Sequence, residues 1–96
     1  MSKFLVTVQF TWSDEMALKL EEHRTYINSL IEEQIIEHYA VSMEVQQVWI
    51  TINADSKKEV EEVLSVSPLY KYWKLEVWEL VLWDGLSYRL PALQLN

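Results

Sequence analysis

The chain has 96 residues, half of them hydrophobic, and fifteen acidic against eight basic side chains give it a formal net charge of −7. That length makes one domain, and an acidic chain whose longest basic run is Lys57-Lys58 argues against nucleic acid and anionic membranes as partners. It contains no Cys, which removes disulfides, thiolate catalysis and zinc–sulfur sites.

Residues 3–12 alternate, with Phe4, Val6, Val8, Phe10 and Trp12 on one face and Leu5, Thr7, Gln9 and Thr11 on the other, which predicts a first strand. The chain enters this strand pattern without a signal-peptide pattern, and no apolar run approaches membrane-spanning length, so a cytoplasmic location is expected by default. Ser13 is placed to cap a helix, with Asp14 and Glu15 in its first turn, where the helix dipole favours acids. Met16, Leu20, Ile27 and Ile31 recur at helical spacing and carry the helix to about residue 33. A second strand is predicted over residues 35–43 and a third over 47–54, with Val48, Ile50 and Ile52 opposite Trp49 and Thr51. The connection between them lacks Gly, which predicts a longer or bulged turn. Ser56 and Glu59 have the spacing of a capping box, Val60, Val63 and Leu64 form the inner stripe of a shorter helix, and Ser67-Pro68 ends it. A last strand over residues 74–83 is apolar on both faces.

The order of elements predicts an α+β fold, the ferredoxin-like β-α-β-β-α-β sandwich with an antiparallel sheet and both helices on one face. The domain is expected to span residues 1–83, with residues 84–96 as an extended C-terminal tail. Two helices cover one face only, and water on an apolar second face would forfeit about 25 cal/mol per Å². The chain is therefore expected to pair with a second copy through its sheet, as a dimer or a higher homo-oligomer. Loops or the tail are the other possible cover. Leu86, Leu90, Leu93 and Leu95 of the tail are placed to clasp a neighbouring subunit.

The run Ser67-Pro68-Leu69-Tyr70-Lys71-Tyr72-Trp73-Lys74-Leu75-Glu76-Val77 resembles the end of muconolactone isomerases, where a Pro-Leu-aromatic stretch leads into a last strand with a Glu-Val pair. Traced back without gaps, Asn53-Ala54-Asp55-Ser56 falls at that family's entry to its second helix, and His38 falls on a histidine of its second strand. The resemblance implies a dimeric α+β barrel, with two sheets face to face and a ligand between the helices and sheet of one subunit. The family's substrate is an anionic unsaturated lactone, whose carboxylate needs positive partners. Around His38 this chain departs from the family, with Ile36, Glu37, Ala40 and Val41 and no Arg. Gln34 stands where the family has Gly, which predicts a strained or altered end to the first helix.

Three side chains are candidate acid–base groups for a cofactor-independent proton shift on a small carbonyl or lactone compound. His23 lies at the edge of the first helix's apolar stripe; the alternative is a half-buried His with one structural hydrogen bond. His38 matches a family His; alternation puts it on the opposite face from Glu37 and Tyr39, and the alternative is a sheet His facing solvent or the dimer contact. Glu76 matches the family's Glu, where burial would raise its pKa; the alternative is an exposed Glu beside Lys74. Trp12, Tyr70, Tyr72 and Trp73 are candidate walls for a flat organic ligand, or else core and oligomer contacts. No cofactor or metal is expected, because two His and no Cys leave only scattered carboxylates and one Gly permits no phosphate loop. The reading is a small-molecule-binding, isomerase-like protein; the alternative is a non-catalytic binding module or a relative in fold alone.

Overall fold

A computed structural model describes residues 1–85; residues 86–96, which include the four tail leucines, lie outside the described residues. The elements run β1 (Ser2–Gln9), α1 (Asp14–Glu32), β2 (Ile36–Ser42), β3 (Gln47–Ala54), α2 (Lys57–Leu64) and β4 (Lys74–Leu80), with one 3-10 turn, Tyr70–Tyr72, before the last strand. The four strands form one antiparallel sheet in the order β2-β3-β1-β4. With α1 packed on β2, and α2 on β3 and β4, the chain is a small α+β domain compatible with the ferredoxin-like fold. No helix among the described residues is long and apolar enough to cross a membrane.

Alternation decides what is covered. Phe4, Val6 and Val8 of β1 pair with Ile52, Ile50 and Val48 of β3, and all six are buried beneath the helices. On the other side, Val6 and Val8 pair with Val77 and Leu75 of β4, which pack on the same core. Each fully buried aliphatic side chain here stabilises the fold by about 1.5–3 kcal/mol. Helix α1 buries Met16, His23, Ile27 and Leu30. Its stripe advances in steps of three and four, so Leu30 takes the inner place expected of Ile31, which is 40% exposed.

Both helix starts are capped as their sequences require. Ser13 Oγ accepts from the Met16 N–H at 3.3 Å, and Ser56 Oγ accepts from the Glu59 N–H at 3.1 Å. The return bond from Glu59 differs from the expected box, because its Oε1 accepts from the N–H of Asp55 at 3.0 Å rather than from that of Ser56. Strand β4 ends at Leu80, short of the predicted residue 83. Lys3 pairs with Leu80 and β1 begins at Ser2, so the ladder runs out of partners.

Strand β2 carries a register shift between Ile36 and His38. Ile36 is buried on the core face, while Glu37 accepts from Lys3 and, at 3.0 Å, from Asn53 Nδ2. Lys3 and Asn53 are paired residues of the uncovered face. The expectation that Glu37 and His38 take opposite faces is thus corrected: an extra residue in the strand sends both to the uncovered side. Lys3 is itself only 2% exposed. Its ammonium is compensated by Glu37, by Asn53 Oδ1 at 3.0 Å and by the Trp83 ring, whose centroid lies 4.9 Å away.

Helix α1 closes with a left-handed residue, as a glycine-ended helix does. The Ile35 N–H donates to Leu30 O at 2.9 Å and the Gln34 N–H to Ile31 O at 3.0 Å, while Gln34 itself has φ 64°. This is a Schellman ending with Gln at the position that favours Gly. A side chain there costs about 1–2 kcal/mol, partly offset by the greater unfolded-state freedom of Gly. Gln34→Gly should therefore stabilise the protein by about 0.5–1 kcal/mol, a gain of several degrees in Tm by calorimetry. An unchanged or lower Tm would show that no strain is stored there.

Candidate functional site

Position 23 lies on the buried stripe of α1, so the helix carries an imidazole into an apolar wall. His23 is 2% exposed, and a buried ring needs partners at both nitrogens. Nδ1 lies 2.6 Å from Ser67 Oγ and Nε2 lies 2.7 Å from Tyr39 Oη. Trp73 meets the ring edge-on, with centroids 5.3 Å apart and planes at 86°.

Ser67 is held by the tight turn after α2. Its N–H donates to Leu64 O, its carbonyl accepts from the Tyr70 N–H, and its Oγ accepts from the Leu69 N–H, each at 3.1 Å. This local bonding is typical of Ser in turns. Tyr39 comes from β2, on the strand face opposite His38. Three segments distant in sequence thus meet in one row, Ser67–His23–Tyr39.

Beside the row, between α1 and the β2 side of the sheet, lies a cleft of about 380 Å³. Met16, His23, Val48 and Leu69 form its buried floor, and Trp12, Arg24 and Met43 its exposed rim. A second hollow of about 340 Å³ shares His23, Arg24 and Tyr39 and runs on toward Ile27 and Ile31. The Phe10–Trp12 wall is fixed by Gln46, which has φ 51°. Its carbonyl accepts from the Phe10 N–H at 3.2 Å and its side-chain oxygen accepts from the Trp12 N–H at 2.6 Å.

The electrostatics keep the row uncharged. Burial, assisted by the nearby Arg24 cation, lowers the His23 pKa to about 4. Burial raises the Tyr39 phenol to about 12, against a smaller opposing pull from Arg24. At neutral pH the cleft therefore offers neutral imidazole and neutral phenol at its base and one guanidinium at its mouth. Among the described residues Arg24 has no salt-bridge partner, and no group of three or more His, Asp or Glu is placed to hold a metal ion.

The predicted site residues divide between the two faces of the sheet. His23, Trp12 and Trp73 come together at the cleft. Tyr70 is half-buried beside Trp73, with ring centroids 6.5 Å apart. Tyr72 turns outward: its hydroxyl donates to Glu15 at 3.0 Å, and Lys19 and Lys71 lie over its ring. His38 is on the uncovered face, with Nδ1 3.1 Å from Thr51 Oγ1. Glu76 is exposed on that face, opposite Thr7. His38 and Glu76 both lie on the face away from the helices, so neither shares the cleft with His23.

Sequence reasoning missed Tyr39, Ser67 and Arg24 as members of the site. Alternation puts Tyr39 on the face opposite His38, but counted from buried Ile36 an unbroken ladder would have turned it away from the helices, so the bulge hid it. Ser67 read only as a helix stop, and its contact with a residue 44 positions away left no local trace. No protein-family model matches the chain, and no curated protein matches it.

Buried neutral His23 makes stability depend on acid. Its folded pKa is about 4 against an ordinary 6.5, so the unfolded chain takes up the proton first. The contribution is complete above pH 6.5 and is lost as the pH falls toward 4, a total on the order of 3 kcal/mol. Urea unfolding across this range should show that slope in the wild type and a shallower one in His23→Gln. Equal slopes would mean that the imidazole is not buried neutral.

Proposed function

We propose that this chain binds a small, largely apolar carbonyl or lactone compound in the cleft beneath α1. The observation that carries the reading is the cleft itself: about 380 Å³ with a mostly apolar lining and one polar row at its base. That size lies at the low end of ligand pockets, which commonly pair apolar walls with a few fixed polar groups. A filled core would leave no such space, and a surface groove would not bury a histidine.

A second reading, proton transfer of the muconolactone isomerase kind, is favoured by the pairing of His23 with Tyr39 beside the cleft. Arg24 at the mouth supplies a cation for an anionic substrate, from α1 rather than from the second strand. Glu37, the residue that would repel such a substrate, is turned to the other face by the bulge. Moving a proton between two carbons requires a base that lifts it and an acid that returns it, roles that one group can fill in turn. Among the described residues only the His23–Tyr39 pair is on hand, because His38 and Glu76 are remote.

The uncovered face is proposed as the contact with a second copy of the chain. Leu5 and its cross-strand partner Trp78 lie one step along the ladder from Thr7 and its partner Trp49. Trp78 is 50% exposed and Trp49 36% exposed. Tryptophans exposed together in this way commonly mark an association surface. Light scattering should give twice the 11.5 kDa chain mass for the wild type and the single mass for Trp78→Lys. A monomeric wild type would remove this contact.

Ligand-observed NMR with cyclic ketones, lactones and arenes tests the cleft. Saturable binding is expected, and it should be lost in Leu20→Trp, which fills the cleft from its wall. No binding by any class would overturn the reading. Incubation with muconolactone under ultraviolet observation separates the two readings: turnover supports the isomerase, and binding without turnover supports the binding module.

A further inference from the structure

The polar row has a direction, which follows from counting hydrogens. Ser67 Oγ already accepts the Leu69 N–H and lies 2.6 Å from His23 Nδ1. Ser67 is 4% exposed and does not line the cleft. If Nδ1 carried the imidazole hydrogen, Ser67 Oγ would accept twice, and its own O–H would be buried without an acceptor. A buried donor left unsatisfied costs about 1–3 kcal/mol.

The opposite order leaves no such orphan. Ser67 donates to Nδ1, the hydrogen sits on Nε2, and Nε2–H donates to Tyr39 Oη at 2.7 Å. The phenol oxygen is then an acceptor toward His23, and its O–H is free to turn away from the ring. Tyr39 lines both hollows, and its hydroxyl has no other hydrogen-bond partner among the described residues. The free hydrogen is thus left for a ligand in these hollows to accept.

We infer that Tyr39, not His23, is the group that meets the ligand, as a hydrogen-bond donor, and that the ligand presents a carbonyl-type acceptor oxygen to it. This rests on the reading of the cleft as a ligand pocket and specifies what that pocket selects. His23 is then a positioning residue: it spends its N–H on Tyr39 and leaves the phenol nothing to do but donate outward. The neutral state of both groups at pH 7 agrees with this order. The same order explains why a polar group stands at the base of an apolar cleft. It discriminates ketones and lactones from hydrocarbons of the same shape, because only the former satisfy the O–H after water leaves.

Two measurements test this. Long-range nitrogen–proton NMR of the intact, ligand-free chain reports the tautomer of His23, with His38→Gln separating the two histidine signals. The expected result is a hydrogen on Nε2 and none on Nδ1; the reverse tautomer overturns the inference whatever binds. The second compares acetophenone with ethylbenzene, which share a shape and differ in the carbonyl. Wild type should bind the ketone about five- to tenfold more tightly, the worth of one neutral hydrogen bond. In Tyr39→Phe that preference should vanish, with the ketone bound no more tightly than ethylbenzene. Equal binding of both probes by wild type sinks the donor assignment alone, whereas binding of neither removes the pocket and the inference together.

Discussion

A four-stranded sheet has two faces, and two helices can cover only one of them. Everything else in the domain follows from how the chain distributes residues across that divide. On the covered side β1, β3 and β4 contribute aliphatic side chains in opposed pairs, from Val6 and Ile50 to Val8 and Leu75. On the other side the same strands carry Thr7, Thr51 and Glu76 together with Leu5, Trp49 and Trp78, a mixture suited neither to full burial nor to full exposure. The division also decides where chemistry is possible, because acid–base groups on opposite faces cannot share a substrate.

The cleft arises from the same constraint. β2 is an edge strand, and at its outer end α1 stands over Tyr39, Val41 and Met43 with space left between. A helix stripe made wholly of Leu or Ile would fill such a gap from above. This one has His23 at the critical step, where the imidazole is held between Ser67 and Tyr39. Satisfying one buried polar ring and keeping a hollow open are thus one arrangement.

Much of this was legible in the residues. The period-two runs in β1 and β3 and the caps Ser13 and Ser56 place most of the elements, and β3 falls where its sequence puts it. The candidate site was legible only in part. His23 is visible because it interrupts an apolar stripe, and Trp12 and Trp73 because large aromatics flank the same end of the sheet. Ser67 and Arg24 carried no such mark, since what matters about them is a contact made across the fold. Glu37 was misread for a sharper reason: alternation assumes an unbroken ladder, and no local residue type announced the extra residue in β2. The ending of α1 shows the converse, since Gln34 adopts the geometry its missing glycine would have supplied.

That extra residue in β2 has a consequence for kinship. Upstream of it Ile36 faces the core; downstream the parity of the strand is inverted, so Tyr39 faces inward and His38 outward. In a related chain lacking the insertion, a histidine aligned with His38 would point into the hollow and the tyrosine would point away. Column-by-column alignment along this strand would then equate side chains that stand on opposite surfaces, and an active-site residue could be transferred to the wrong side of the sheet without a single mismatch to warn of it.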